Sequence, residues 1–181
     1  SALITKGRRR SRKGEYSLSI DDLRFGLRHC LAIWFPSSHE YDTQHGQLLA
    51  RFFKQRLWLG VELFWEGSDQ QHYLYCERLS QQCKLNMVAC NDVHMHHKKR
   101  KPLQDTLTAI RLNTTIQALG KARQSNAERY LKPLPVLQHQ YPPELLEESV
   151  KIADLCHFSM QELRYEYPRE VVPDGMTPSA Y

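Results

Sequence analysis

Three short apolar runs constrain what this chain can fold into: Cys30 to Phe35 (CLAIWF), Leu57 to Trp65 (LWLGVELFW) and Leu85 to Cys90 (LNMVAC). Their length suits strands, and their apolar continuity predicts strands covered on both faces. Pro36, Ser37 and Ser38 stop the first run, and Glu66-Gly67-Ser68 closes the second. Between the first two, Thr43 to Arg56 carries Leu48, Leu49, Phe52 and Phe53 at helical spacing. A second helix, capped by Ser68 or Asp69, runs through Tyr73, Leu74, Cys76, Glu77 and Leu79 to Cys83. Strand–helix–strand–helix–strand is the alternation of parallel βα units, and a doubly wound sheet and a barrel both satisfy it. In either architecture functional groups gather at the C-terminal ends of the strands.

The third run ends in such a place, at Asn91-Asp92-Val93-His94-Met95-His96-His97, followed directly by Lys98-Lys99-Arg100-Lys101. In an extended chain an acid and an imidazole two residues apart face the same way. Both ligate divalent metals, and a basic patch beside them would receive phosphate. A metal centre needs about three or four protein ligands. Asp92 and His94 are two, His96 is a third only if the chain stays extended, and His97 points the other way. The remaining histidines are scattered, with His39 the better placed, just beyond the first strand. Glu62 lies inside the second apolar run and needs a partner there, whether a salt bridge, a hydrogen bond or a metal ligand that it orients. Cys90 reads as core rather than nucleophile. GxGxxG, GxxxxGK[ST] and GxSxG are all absent, as is a neighbouring pair of strand carboxylates for two Mg²⁺ ions.

Composition excludes some classes. With 41% hydrophobic and 25% charged residues in 181, the chain is globular rather than disordered. A net charge of +5 permits a polyanionic partner. Residues 6–13 hold Lys6, Arg8, Arg9, Arg10, Arg12 and Lys13, which read as a solvated helix side or as phosphate contacts. No apolar stretch approaches the ~18 residues of a membrane span, and no apolar signal core follows the basic N-terminus. Cys30, Cys76, Cys83, Cys90 and Cys156 lack CxxC spacing and read as reduced thiols, so a cytoplasmic location is expected. The abrupt ends at Ser1 and Tyr181 suggest a segment of a longer polypeptide.

Outside the βα region, Ser19 predicts a cap for a short helix through Ile20-Asp21-Asp22-Leu23. Pro102 suits the first turn of a helix carrying Leu103, Leu107, Ile110 and Arg111. Leu131-Lys132-Pro133-Leu134-Pro135 is a break, and Pro142-Pro143 opens a helix to Cys156. Its expected inward stripe is Leu145, Leu146, Ser149, Ile152, Ala153 and Cys156. Tyr165 to Pro178 reads as an extended connector.

Several of these segments carry a family likeness. Val88 to His96 (VACNDVHMH), followed by Pro102 to Arg111 (PLQDTLTAIR), closely resembles bacterial C-family DNA polymerases. The likeness is to the error-prone branch of the DNA polymerase III alpha subunit. Leu3 to Arg10, Asn126 to Leu131 and Phe158 to Pro168 resemble the same branch. The resemblance implies the later part of a PHP (polymerase and histidinol phosphatase) domain, an irregular β/α barrel, over residues 1–101. A helical junction would occupy 102–164, and a linker toward the polymerase core 165–181. It maps the last metal motif of the family onto Asp92 and His94, with zinc or manganese as the expected metal. Phosphate or nucleic acid would meet Arg8, Arg9, Arg10, Lys98, Lys99, Arg100 and Lys101. Replicative relatives place a cysteine ligand where this chain has Pro36-Ser37-Ser38, which weakens the metal cluster. For the parent protein the resemblance implies Mg²⁺-dependent, template-directed nucleotidyl transfer in mutagenic synthesis across damaged DNA. The Mg²⁺ would be bound outside this segment. Primer-template DNA and dNTPs are the implied substrates. The remaining barrel strands, the polymerase core, a sliding clamp and mutagenesis accessory proteins are the implied partners. The segment itself is expected to brace the polymerase core, with a metal-dependent phosphoesterase or 3′–5′ nuclease as the alternative.

Overall fold

The apolar runs become the three strands of one parallel sheet, seen in a computed structural model that describes residues 2–23, 27 and 29–163. The elements in chain order are α1 (Ala2–Arg9), β1 (Ala32–Trp34), α2 (Asp42–Phe53), β2 (Leu57–Glu62), α3 (Asp69–Cys83) and β3 (Met87–Cys90). They are followed by α4 (Lys101–Arg111), α5 (Leu134–Gln140) and α6 (Pro143–Asp154). The strand order is β1-β2-β3, with Trp34 beside Leu59, Leu59 beside Met87 and Glu62 beside Cys90. The α/β class and the parallel crossovers of the sequence reading are therefore present.

Register and alternation sort the sheet into two faces. Ala32, Trp34, Leu57, Leu59, Val61, Met87 and Ala89 share one face and pack with Phe53 of α2 and Cys76, Leu79 and Cys83 of α3. Both crossover helices therefore lie on the same side, in contact with each other. Leu59, Val61 and Leu79 are almost wholly buried, each contributing about 1.5–3 kcal/mol relative to exposure. Gly60 faces the other way, and the Phe35 ring lies so close that a Cβ there would come within 2.4 Å of it.

The strands are shorter than their apolar runs, for visible reasons. β2 stops at Glu62 because the next amides find other acceptors. The Leu63 N–H donates to the Tyr141 hydroxyl (2.9 Å), and those of Phe64 and Trp65 donate to the Asp69 carboxylate (3.0 and 2.7 Å). Asp69 thus begins α3 while organising the loop before it, and Ser68 makes no side-chain cap. Tyr141 also donates to the Cys90 carbonyl (2.5 Å), so one phenol joins the ends of β2 and β3.

α6 lies along β3, and its buried stripe differs from the expected one. Leu145 and Glu148 are buried, whereas Ser149, Ala153 and Cys156 are exposed. Glu148 was hidden from apolar patterning because it is a carboxylate turned inward. It accepts from Trp58 Nε1 (2.9 Å), Asn86 Nδ2 (2.9 Å) and Lys151 Nζ (2.7 Å). Burial raises its pKa, and these donors more than offset that, holding it below the ordinary value of 4.5.

The turn after Ser19 is a single 3₁₀ turn, Ile20–Leu23. Asp22 accepts from both the Ser19 amide and hydroxyl, and pairs with Lys6 (2.6 Å) and Arg10 (2.7 Å). Lys6 first, then the Ser19 amide, keeps the Asp22 carboxyl well below its usual range. The expected connector at 165–181 lies outside the described residues.

Candidate functional site

β3 releases the chain at Cys90, and Asp92 turns it sharply with a φ of 36°. Aspartate tolerates this left-handed region better than most residues. Asp92 and His94 do meet, with His94 Nε2 3.1 Å from Asp92 Oδ1. The cause is this turn rather than the strand alternation assumed from sequence. The Gln104 amide nitrogen of α4 lies 3.4 Å from His94 Nδ1. A donor facing Nδ1 places the ring proton on Nε2, toward the carboxylate.

The second oxygen of Asp92 is taken by Arg129, whose guanidinium forms an ion pair with it. Arg129 also lies over the Phe64 ring, 3.6 Å from guanidinium carbon to centroid. It is delivered by a return of the chain alongside the motif. The amides of His94 and Met95 donate to the Arg129 carbonyl, and the Leu131 amide donates to the Met95 carbonyl. Asn91 ties the same segment down, donating to the Tyr130 carbonyl (2.6 Å) and accepting from the buried Lys132 ammonium (2.9 Å). Sequence reading missed Arg129, which stands 37 residues after Asp92. Its only sequence signal was its place in the segment Asn126 to Leu131.

Glu62, at the end of β2, belongs to the same electrostatic cluster. Burial raises its pKa, the Asp92 charge raises it further, and Arg129 and His94 pull it back. Among the described residues no hydrogen bond or salt bridge reaches its carboxylate. Glu62 also lines a cleft of about 420 Å³ with Ser38, Phe64, Glu66, Asp69 and Tyr75. Beside the cleft, Asp42 takes the ground after β1 that the sequence reading left to Ser37 and Ser38. It is 1% exposed and accepts from Tyr75 (2.7 Å), the His39 amide (3.1 Å) and Ser37 (3.3 Å). Burial raises its pKa, but these donors hold it below 3.8. Burial, then Asp42, pushes the Tyr75 hydroxyl up to about 12. Burial, with Glu62 next, pushes the Cys90 thiol up to about 11, which agrees with a core role.

The implied metal can be tested against these donors. Among the described residues no three His, Cys, Asp or Glu side chains come together to hold an ion. Asp92 and His94 supply two donors, one of them already paired with a guanidinium. His96 is exposed, and His97 turns away, its Nδ1 accepting from the Lys99 amide (3.1 Å). These residues by themselves do not fit a zinc or manganese centre.

The basic residues separate into two kinds. Lys98, Lys99 and Arg100 are exposed, as are Arg8 and Arg9. Lys101 is committed to buried Asp105, at 2.7 and 2.8 Å from its two oxygens, and Arg10 to Asp22.

No protein-family profile matches the chain. Sequence comparison with curated proteins does find relatives. A protein of Methylococcus capsulatus named error-prone DNA polymerase is 50% identical over 182 aligned residues, covering 100% of this chain and 17% of that protein. Proteins of the same name from Teredinibacter turnerae and Pseudomonas savastanoi are 44% and 46% identical, covering 100% and 99% of this chain and 18% of each relative. The chain is homologous to one segment of error-prone DNA polymerases. It spans about a sixth of their length, 17–18% in these three. No helix among the described residues is long and apolar enough to cross a membrane.

Proposed function

We propose that this segment is the later part of a PHP domain and its helical junction, bracing the core of an error-prone DNA polymerase. The observation that carries the reading is similarity along the whole chain to a segment making up about 17% of the length of a protein bearing that name. The parent would be a cytoplasmic enzyme that extends primer-template DNA with dNTPs across lesions, using Mg²⁺ held outside this segment. A sliding clamp and mutagenesis accessory proteins would be its partners.

Surface chemistry supports bracing. Leu103, Leu107 and Ile110 are exposed along one side of α4, at 49%, 52% and 70%. Their spacing makes an apolar stripe that water disfavours and that further protein would cover. The open sheet would likewise be completed by the remaining barrel strands.

The second reading is a metal-dependent phosphoesterase or 3′–5′ nuclease module, favoured by the contact of His94 with Asp92. A bound zinc or manganese would supply a nucleophilic water at neutral pH. That reading needs donors from elsewhere in the parent protein.

Elemental analysis of the full-length protein, together with a phosphodiesterase assay, separates the two. Bracing predicts no hydrolysis that depends on Asp92 and His94. Hydrolysis abolished by Asp92→Asn with His94→Ala would replace bracing with the enzymatic reading.

A further inference from the structure

We infer that Arg129 is a built-in cation that occupies the metal position of the Asp92–His94 pair. The inference deepens the bracing role and rests on it. Three observations place the guanidinium there. It is ion-paired with the Asp92 oxygen that His94 does not use. Its guanidinium carbon lies over Phe64, 3.6 Å from the ring centroid, so the ring covers one side of the cation. It is also among the charges that lower the pKa of half-buried Glu62, opposing the increase due to Asp92.

The cluster therefore balances two carboxylates, Glu62 and Asp92, with a cation carried by the chain itself. A divalent ion on Asp92 would have to displace this guanidinium or endure repulsion from it at contact distance. The fixed fork of arginine suits such replacement, since it offers several directed donors where an ion would offer open coordination. The backbone holds the guanidinium ready, because the Arg129 carbonyl accepts from the amides of both His94 and Met95. A phosphate oxygen could not approach Asp92 in this arrangement through a bridging ion. The pair is thus converted from a ligand set into a fixed joint between the β3 loop and the segment around Arg129.

The test is metal binding to the full-length protein, with Zn²⁺ and Mn²⁺ as the probes. Wild type and Arg129→Lys should hold no ion at this site after dialysis. Arg129→Met should bind Zn²⁺ or Mn²⁺ at least about tenfold more tightly than wild type. The gain should vanish in Arg129→Met with Asp92→Asn, and circular dichroism of each variant should match wild type. If Arg129→Met fails to fold, Arg129→Gln takes its place, with the same gain expected. A metal-free wild type whose Arg129→Met and Arg129→Gln variants gain nothing would overturn the inference while leaving bracing intact. Wild type carrying about one equivalent of metal, lost in Asp92→Asn, would overturn the inference, and phosphodiesterase activity lost in the same variant would overturn bracing as well.

Discussion

Two carboxylates at opposite ends of the same sheet are satisfied in contrasting ways. Asp92, beyond the C-terminal end of β3, is 43% exposed at its side chain and is held by one guanidinium and one imidazole. Glu148, on α6, is 6% exposed and reaches the other end, where Trp58 is the second residue of β2 and Asn86 precedes β3. The exposed pair can be substituted at little cost in stability, so it is where chemistry is acquired or lost. The buried one must keep every donor, because an unmade hydrogen bond there has no water to replace it. The contrast separates what identifies this segment from what holds it folded.

The sharpest way to break that contrast is Glu148→Ala. It should cost roughly 3 kcal/mol by stranding the Trp58 and Asn86 donors. Hydrogen exchange of the β2 and β3 amides in the full-length protein reads this loss. An effect no larger than that at Asp92 would erase the distinction. Tyr141→Phe should follow at roughly 1–2 kcal/mol, read from the same amides, since the Leu63 N–H loses its acceptor and the Cys90 carbonyl its donor.

Acid should reach the buried carboxylates Glu148 and Asp42 only below the pH at which ordinary carboxylates protonate. Glu148 and Asp42 have folded-state pKa values below their ordinary 4.5 and 3.8. Their stabilisation is complete above those values and is lost as pH falls through the folded ones. Glu62 has the opposite sign, and its contribution is lost as pH rises through its raised pKa. Exchange protection should therefore fall below the ordinary carboxylate range, and Glu148→Gln should flatten that fall.

At the exposed end, Asp92→Asn should cost less than about 1 kcal/mol by the same exchange measurement. The smallest effect on stability belongs to the basic run. Replacing Lys98, Lys99 and Arg100 with alanine should leave exchange unchanged while lowering the salt slope of DNA binding by about 2–3. Lys101→Ala should leave the slope unchanged, because its ammonium is spent on Asp105. A slope indifferent to the triple replacement would remove the phosphate role from this run.

The sheet was legible in sequence from its continuous apolar runs, although only β2 is buried on both faces and Ile33 of β1 is exposed, and α2 and α3 were legible from helical spacing. Strand ends were not, because Tyr141 and Asp69 decide them from other elements. The Asp92–His94 pair was legible as a motif, but its partner was not, since nothing local links Asp92 to a guanidinium 37 residues away. Glu148 and Asp42 were invisible for a related reason. A buried carboxylate looks like any surface acid until its donors, drawn from several elements, are placed around it.

The phenol of Tyr141 also has a consequence in time. It lies 51 residues after Cys90, so during synthesis all three strands leave the ribosome before their shared fastening exists. At about 5–20 residues per second, β2 and β3 wait several seconds with their C-terminal ends untied. For that interval the nascent chain presents a sheet that can pair but cannot close. Newly made protein should be cut by protease near Leu63 and Asn91 until the residues up to Tyr141 have emerged.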